Sequence, residues 1–216
     1  MALHPDRLSP AEIHKLRSVA GLADIRLSDD QVAQLDRLAV FLRQEAIPLG
    51  GMGPNESARL VDRHLADALA YLVGIPSAAQ RLVDVGSGVG LPGIPLAIAR
   101  PDLEITLLDR SQRRTDLAVR AVVGAGAANV AVVCEDARSY EPPWDVVVFR
   151  ASLPVPEAAG VFAKLAAADG VGLVGVSRSS TPPVIADPPD GVAFFCESIA
   201  TEVLDSPFWL LRMSRT

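Results

Sequence analysis

The stretch DVGSGVGLPG, residues 84–93, restricts the possible folds of this chain more than any other. It follows a short apolar run and precedes an apolar segment with helical character. Its closely spaced glycines let the backbone turn sharply and approach a ligand without Cβ atoms in the way. In an open α/β sheet, the loop after the first strand lies at the carboxyl ends of the strands, where ligands bind. The stretch therefore predicts an α/β fold that holds a ligand at this loop.

Short apolar runs alternate with helical segments from residue 80 onward, which predicts a parallel sheet covered on both faces. The last two runs have no helix between them and predict an antiparallel hairpin at one edge. The predicted order is that of a class I methyltransferase, a Rossmann-like seven-stranded sheet whose last strand is antiparallel. The predicted strands are RLVDV, EITLLD, NVAVVC, WDVVVFR, VGLVGV, VAFFCESI and PFWLLRM, and the helices between them are LPGIPLAIAR, SQRRTDLAVRAVVGAG and PVPEAAGVFAKLAAADG.

The chain before residue 80 is helical in pattern. Ser9 with Glu12, and Ser28 with Gln31, have the spacing of capping boxes that begin two helices. A third helix is predicted over about residues 57–73, where apolar residues recur at helical spacing. We therefore predict an N-terminal helical extension over residues 1–79 and a Rossmann-like methyltransferase domain over residues 80–216.

Composition narrows the possible environments and partners. A net charge of −6 argues against indiscriminate nucleic-acid binding, although it allows a local basic patch. No apolar run approaches the ~20 residues of a membrane span, and the first residues lack the pattern of a signal peptide. The two cysteines, Cys134 and Cys196, lie in apolar strand-like runs and lack the spacing of a metal site, which predicts buried thiols. These features predict a cytoplasmic protein with no bound metal.

The glycine loop matches the fingerprints of two cofactors. Gly88, Gly90 and Gly93 give the G-x-G-x-x-G pattern of dinucleotide-binding proteins, whereas Asp84 through Gly90 give the D-x-G-x-G-x-G pattern of S-adenosylmethionine (SAM) methyltransferases. Asp109 ends the second strand, where an acceptor for ribose hydroxyls belongs. Both cofactors contain that ribose, so Asp109 does not separate them.

Three further features favour SAM. A carboxylate at Asp84 can pair, directly or through water, with the ammonium of a methionine moiety but would repel a pyrophosphate. Asp136, after the third strand, can accept a hydrogen bond from an adenine amino group. The chain also lacks a substrate domain of dehydrogenase size and ends in a methyltransferase-like hairpin. A nicotinamide or flavin dinucleotide, and an empty fold that has lost its ligand, stay open as alternatives.

Three segments resemble one methyltransferase family. DRHLADALAYL, RLVDVGSGVGLPGIPLAIARPDLEITLLD and DVVVFRASLP are similar to the RsmG (GidB) family, the guanine-N7 methyltransferases of small-subunit ribosomal RNA. The similarity covers roughly residues 57–155, and Pro92 and Pro95 flanking Gly93 are its most specific part. The resemblance implies SAM as the cofactor and ribosomal RNA, or the small ribosomal subunit, as the partner. It implies nothing about the oligomeric state.

The resemblance also implies roles for individual residues. Arg150 matches the arginine of the family's Ser-Arg-Ala signature near the transfer site, and His64 matches a family histidine whose acidic partner is Asp67. Both Arg150 and His64 are candidate catalytic residues, with Arg150 positioning the substrate. The candidate cofactor-binding residues are Asp84, Gly86, Ser87, Gly88, Gly90, Leu91, Asp109, Arg110, Asp136, Ala137 and Arg150.

The substrate half departs from the family pattern. The usual Asn-Leu-Thr segment reads AIPLGGMGP here, Ser-Arg-Ala reads Phe-Arg-Ala at residues 149–151, and Leu-Lys-Gly reads Val-Ser-Arg at residues 176–178. Arg178 could replace the family's lysine as a cation. Two alternatives therefore stay open: a methyltransferase of a small molecule or another RNA, and a non-catalytic SAM-binding paralogue.

The chemistry expected of the family needs few catalytic groups. Guanine N7 already carries a free lone pair, so its methylation requires alignment and no general base. The Asn/Asp-Pro-Pro-aromatic motif that orients exocyclic amines is absent after the fourth strand of the sequence pattern. Arg110, Arg113 and Arg114 open the helix after the second strand, where they either contact RNA phosphates or form a solvated helix face.

Overall fold

The computed structural model describes residues 6–141 and 143–216. Its sheet has seven strands in the order β3–β2–β1–β4–β5–β7–β6, with β1 to β5 parallel and β7 antiparallel to both of its neighbours. The predicted class I methyltransferase fold with its antiparallel last strand is confirmed. The strands are β1 (Arg81–Val85), β2 (Glu104–Asp109), β3 (Val130–Cys134), β4 (Trp144–Arg150), β5 (Ala166–Arg178), β6 (Val192–Ile199) and β7 (Phe208–Arg215).

The order of the strands reverses between β1 and β4. The chain runs from β1 outward to β2 and β3 on one side, then returns to β4 and continues to β5 on the other. Connections therefore leave the carboxyl ends of β1 and β4 in opposite directions and open a crevice between them. The glycine loop after β1 lies at this crevice.

Two helices begin where the sequence predicts capping boxes. Both capping boxes are formed, by Ser9 with Glu12 and by Ser28 with Gln31. The helices are α1 (Pro10–Gly21), α2 (Asp29–Phe41), continued by a π-helical turn (Leu42–Ala46), α3 (Ala66–Ala70), α4 (Gly93–Ala99), α5 (Gln112–Ala125) and α6 (Val155–Leu165). None of the helices within the described ranges is long and apolar enough to cross a membrane.

Side chains of α2 complete the ends of two helices that cover the sheet. Gln31 donates to the carbonyl of Ile98 at 2.6 Å, near the end of α4. Gln34 and Arg37 donate to the carbonyls of Gly126 and Ala125 at 2.7 and 3.0 Å, at the end of α5. These carbonyls lack partners within their own helices, so α2 satisfies groups that would otherwise need water. The same helices share one hydrophobic core with the face of the sheet that carries Leu82.

The predicted boundary at residue 80, between an N-terminal helical extension and a methyltransferase domain, stays a prediction.

Two hydrophobic cores lie on opposite faces of the sheet because successive strand side chains alternate in direction. Leu82 of β1 belongs to the core beneath the N-terminal helices, and its neighbour Val83 belongs to the core beneath α6. The alternation places Asp84 on the face of Leu82 and Val85 on the face of Val83.

The predicted helix after β4 and the predicted third helix are only partly correct. The first was predicted to continue through Gly170, but β5 begins at Ala166, which pairs with Trp144 of β4. Pairing with an existing strand overrides the helix propensity of an alanine run. The predicted third helix, over about residues 57–73, is helical throughout but irregular. It has 3₁₀ turns at Glu56–Arg59 and Tyr71–Gly74 and a π-helical turn at Leu60–Leu65 that carries His64.

The prediction of two buried thiols is wrong. Cys134 is exposed and Cys196 is half-buried, and both are free. They lie on β3 and β6, the two edge strands of the sheet, where helices do not cover every side chain. Residues 1–5, on which the expected lack of a signal peptide partly rests, lie outside the described residues.

The hydroxyl of Tyr71 bridges the carboxyl ends of β4 and β5. Tyr71 is fully buried, its hydroxyl donates to the carbonyl of Phe149 at 2.8 Å, and it accepts from the N–H of Gly175 at 2.8 Å. One side chain thus satisfies both strands directly beside Arg150.

Replacing Tyr71 with Phe should lower the free energy of unfolding by roughly 2 kcal/mol, because a buried carbonyl and a partly buried N–H lose their partner. Denaturant unfolding measures the change. Tyr140 is the matched control, since it stacks on Trp144 and its hydroxyl has no partner within the described residues. Equal losses for Tyr71→Phe and Tyr140→Phe would contradict the bridging role.

Candidate active site

The glycine loop is tied to the second strand by its backbone. The N–H groups of Gly86 and Ser87 both donate to the carbonyl of Leu108, at 2.7 and 3.2 Å. Gly86 has φ +70°, and a Cβ there would lie 2.4 Å from Cβ of Ser152 in the loop after β4. Gly88 has φ +58° with open space around its missing Cβ, so only its backbone conformation demands glycine. The loop therefore brings the ends of β1, β2 and β4 close together.

A cavity of about 420 Å³ opens beside this loop, at the carboxyl ends of β1 to β4. Five of the predicted cofactor-binding residues line it: Gly86, Asp109, Arg110, Asp136 and Ala137. Its apolar wall is formed by Val85, Leu108, Leu153 and Val161, and its polar wall also contains Arg114, Glu135, Arg138, Ser152 and Glu157. The sequence therefore predicted one side of this cavity and missed the side that follows β4.

The carboxylate of Asp109 holds the loop in place. It is only 4% exposed; its Oδ2 accepts from the N–H of Gly88 at 3.0 Å, and its Oδ1 accepts from the N–H of Ser111 at 2.9 Å. Asp109 also faces the cavity, where its remaining lone pairs can accept from hydroxyl groups of a ligand.

The charged side chains around the cavity favour a cationic ligand. Three arginines and four acids line it, which gives a net charge of −1. SAM carries a sulfonium, an ammonium and a carboxylate, a net charge of +1, whereas a dinucleotide brings two negative phosphates. Ser152 adds a buried hydroxyl without a partner among the described residues. The residues present thus fit SAM better than a dinucleotide.

Asp84 lies outside the cavity wall. It is fully buried on the α4 side of the sheet, and its Oδ2 accepts from the N–H of Gly93 at 2.8 Å. Its Oδ1 has no partner within the described part of the chain. Burial raises the pKa of Asp84 to about 7, against the lowering effects of the Gly93 hydrogen bond and Arg150. The predicted contact with the ammonium of SAM stays a prediction, and the contact seen here is with the first residue of α4.

The remaining loop residues have other contacts. Ser87 is buried, and its hydroxyl has no partner among the described residues. Gly90 adopts φ +96° at the approach to α4. The carbonyl of Leu91 accepts from Nε of Arg150 at 3.4 Å, which connects the loop to the end of β4.

Arg150, His64 and Glu56 form a hydrogen-bonded chain beside the loop. Both terminal nitrogens of Arg150 lie 3.2 Å from Nδ1 of His64, and Nε2 of His64 lies 2.7 Å from Oε2 of Glu56. Arginine has no acceptor, so Nδ1 accepts and the proton is on Nε2, which donates to Glu56. Burial lowers the pKa of His64 below its ordinary value, so the ring is neutral at pH 7. The structure thus brings the two predicted catalytic residues into contact.

Glu56 is a residue that the sequence analysis missed. It lies eight positions before His64, separated by irregular helical turns, so no helical spacing predicts the contact.

Ala151, directly after Arg150, has φ +50°, a left-handed conformation that costs a non-glycine residue about 1–2 kcal/mol. This strain turns the chain so that Ser152 meets Gly86.

Arg178 is engaged by two carboxylates. Its Nη1 donates to Asp67 at 2.7 Å and its Nη2 to Asp205 at 2.6 Å, with the Arg178 side chain only 8% exposed. Arg63 also pairs with Asp205 at 2.6 Å. Burial raises the pKa of Asp67 to about 6, although the surrounding arginines lower it. Asp67, which the family resemblance pairs with His64, therefore pairs with Arg178, and the cation of Arg178 is already neutralised within the protein.

Solved structures with the same fold define the class of this chain. It matches a SAM-dependent methyltransferase from Aquifex aeolicus with a TM-score of 0.55 at 15% identity, over 77% of this chain and 97% of the other. It matches mitomycin 7-O-methyltransferase with a TM-score of 0.56 at 16% identity, over 88% of this chain and 69% of the other. At these identities the likeness shows the fold alone, which is that of a class I methyltransferase.

Sequence comparison identifies the family. The model of the GidB family, described as rRNA small subunit methyltransferase G, matches residues 31–175. Two proteins named ribosomal RNA small subunit methyltransferase G are similar: one from Chromobacterium violaceum, 35% identical over 73% of this chain and 77% of its own length, and one from Laribacter hongkongensis, 42% identical over 45% and 47%. The chain belongs to this family. For several relatives the matched region spans only about half of their length.

Replacing Asp84 with Asn should change how stability depends on pH. The pKa of Asp84 is about 7 in the folded protein against 3.8 ordinarily, so the folded state retains the proton longer and ionisation opposes folding. As the pH rises from about 4 to 7, the free energy of unfolding of the wild type should therefore fall relative to that of the variant, by up to about 1.4 kcal/mol per pH unit. Above about pH 7 the difference should become constant. Urea unfolding across this range measures it, and a difference that does not vary with pH would contradict the buried, protonated Asp84.

Replacing Glu56 with Gln should lower the pKa of His64 further, because the hydrogen bond to Glu56 raises that pKa while Arg150 lowers it. An NMR titration of the His64 ring protons, assigned with His64→Asn, measures the shift. Asp62→Asn is the control, since Asp62 is on the same helical segment but pairs with Lys15 of α1. An unchanged or raised pKa in Glu56→Gln would show that Glu56 does not hold the ring.

Proposed function

We propose that this protein transfers the methyl group of SAM to N7 of a guanine in small-subunit ribosomal RNA. The observation that carries the proposal is the family match, which spans both the glycine loop with its cavity and the chain from Glu56 to Arg150. The charges that line the cavity suit the cofactor, and Arg150, at the end of β4, contacts the glycine loop through the carbonyl of Leu91. The relatives are named for methylation of the same RNA.

SAM, when bound, supplies a methyl group on a positively charged sulfur. The residues of the cavity divide its recognition between them. Asp109 would accept hydrogen bonds from the ribose hydroxyls, and Asp136 and Ala137 would lie at the adenine. The loop from Gly86 to Gly90 would approach the remainder through its backbone.

Arg150 would position the guanine. A planar guanidinium matches the adjacent O6 and N7 acceptors of guanine, although N7 must stay free to react, so an approach to O6 or to a phosphate suits the reaction. His64 and Leu91 hold the guanidinium from two directions and reduce the conformational freedom lost on binding.

His64 is better suited to hold Arg150 than to remove a proton. Both of its ring nitrogens are engaged, one by Glu56 and the other by Arg150. A reaction at guanine N7 needs no general base, because the attacking nitrogen carries no proton. The neutral, fully engaged imidazole thus agrees with this chemistry better than with methylation of an amino or hydroxyl group.

Methyl transfer tests the proposal. With methyl-labelled SAM and small ribosomal subunits from a strain lacking this gene, the protein should label the RNA, and digestion should release the label as 7-methylguanosine. Label in another nucleoside would overturn the N7 assignment. SAM binding by calorimetry without any label in RNA would favour the non-catalytic paralogue.

The same experiment includes a loop variant with a matched control. Gly88→Val forces a β-branched residue to φ +58°, which should weaken SAM binding and abolish transfer. Gly124→Val places the same side chain in α5 at a position with open space around it. This variant should retain both SAM binding and methyl transfer. Retained SAM affinity in Gly88→Val would contradict the assignment of the loop.

A further inference from the structure

A second cavity, of about 370 Å³, adjoins the cofactor cavity. It is lined by Gly50 and Gly51, by residues 109–111 at the end of β2 and directly after it, and by the first turns of α5. The two cavities share Asp109, Arg110 and Arg114 as walls, whereas no residue of the glycine loop from 86 to 90 lines the second one.

The charge of the second cavity is opposite to that of the first. Among the described residues that line it are Arg110, Arg113 and Arg114 and one acid, Asp109, which together give a net charge of +2. The chain as a whole carries −6. A concentrated positive charge in an acidic protein indicates an anionic ligand at this place.

Most donors of these guanidinium groups have no partner among the residues that the structure describes. Arg113 donates to the carbonyl of Leu49, which holds it at the rim beside Gly50. Arg114 reaches Asp109 only at 3.8 Å, and that carboxylate already accepts from two backbone N–H groups. Arg110 has no hydrogen-bond or ion-pair partner within residues 6–141 and 143–216. The cavity therefore presents unused donors that match a phosphate group.

The placement of two of these arginines opposes the stability of their own helix. Arg113 and Arg114 lie in the first turn of α5, which contains no acid and whose N-cap Ser111 makes no side-chain capping bond. Positive side chains are unfavourable at the positive end of a helix, whereas an anion there is favourable. An anion bound in the cavity would offset this loss of helix stability.

We propose that this second cavity binds a backbone phosphate of the RNA strand whose guanine enters the active site. The inference rests on the proposed function and adds to it a site of contact. The walls shared with the cofactor cavity would place the phosphate beside the part of that cavity assigned to the ribose, so that one contact holds the strand near the cofactor while Arg150 approaches the base.

Fluorescence anisotropy with a short, labelled, single-stranded RNA that contains guanosine tests the inference. Arg113→Gln is the test variant, because Arg113 lines only the second cavity. Arg120→Gln is the matched control: Arg120 is on the same helix and carries the same charge, but pairs with Glu45 outside the cavity. Binding is measured over a range of salt concentrations, and SAM affinity is measured by calorimetry for all three proteins.

Arg113→Gln should weaken RNA binding and reduce the slope of log Kd against log salt by about 0.7, the value for one phosphate contact on a single strand. Arg120→Gln should leave the slope unchanged, and SAM affinity should be the same in all three proteins. Equal slopes in the wild type and Arg113→Gln, an equal loss in both variants, or a loss of SAM affinity in Arg113→Gln would overturn the inference alone. A wild-type protein that binds SAM but neither binds this RNA nor labels the RNA of small ribosomal subunits would overturn the proposed function as well.

Discussion

The carboxylate of Asp109 joins the segments on which the whole site depends. One oxygen holds the glycine loop after β1 through Gly88, and the other holds the start of α5 through Ser111. Both are backbone contacts at the carboxyl end of β2, where the buried position strengthens them. The same residue lines both cavities, one with a net negative wall and one with a net positive wall. Asp109, together with Arg110 and Arg114, thus separates a cavity with a net negative wall from one with a net positive wall.

The sequence predicted which helices and strands form more accurately than where each of them begins and ends. Seven apolar runs, the capping serines and the final hairpin follow from local patterns that the structure retains. The start of β5 does not, because Ala166 becomes strand only through its pairing with Trp144. The exposure of Cys134 was equally beyond a local pattern, since it depends on β3 being an edge strand. Errors of this kind occur where the neighbour of a strand, and not its own residues, decides its state.

The candidate site shows the same limit. Asp109, Asp136 and the glycines could be placed from their positions at strand ends. Glu56 could not, because irregular turns between it and His64 remove any regular spacing. Arg178 was expected to replace the family's lysine as a cation, yet Asp67 and Asp205 neutralise it. Asp67 lies more than a hundred residues before Arg178 in the chain. Motifs locate backbone geometry well, whereas the partners of long charged side chains depend on the complete fold.

The contacts of α2 with the ends of α4 and α5 connect this helix to the two helices that begin near the glycine loop and at the second cavity. Gln31, Gln34 and Arg37 complete the carboxyl ends of α4 and α5. The opposite end of α4 follows the glycine loop, and the opposite end of α5 lines the second cavity. If the opening of α2 releases these helix ends, a ligand that binds only the closed form would stabilise α2 as well. Amide hydrogen exchange in α2 would then slow when either cavity is filled, and a helix that touches no ligand would report on both.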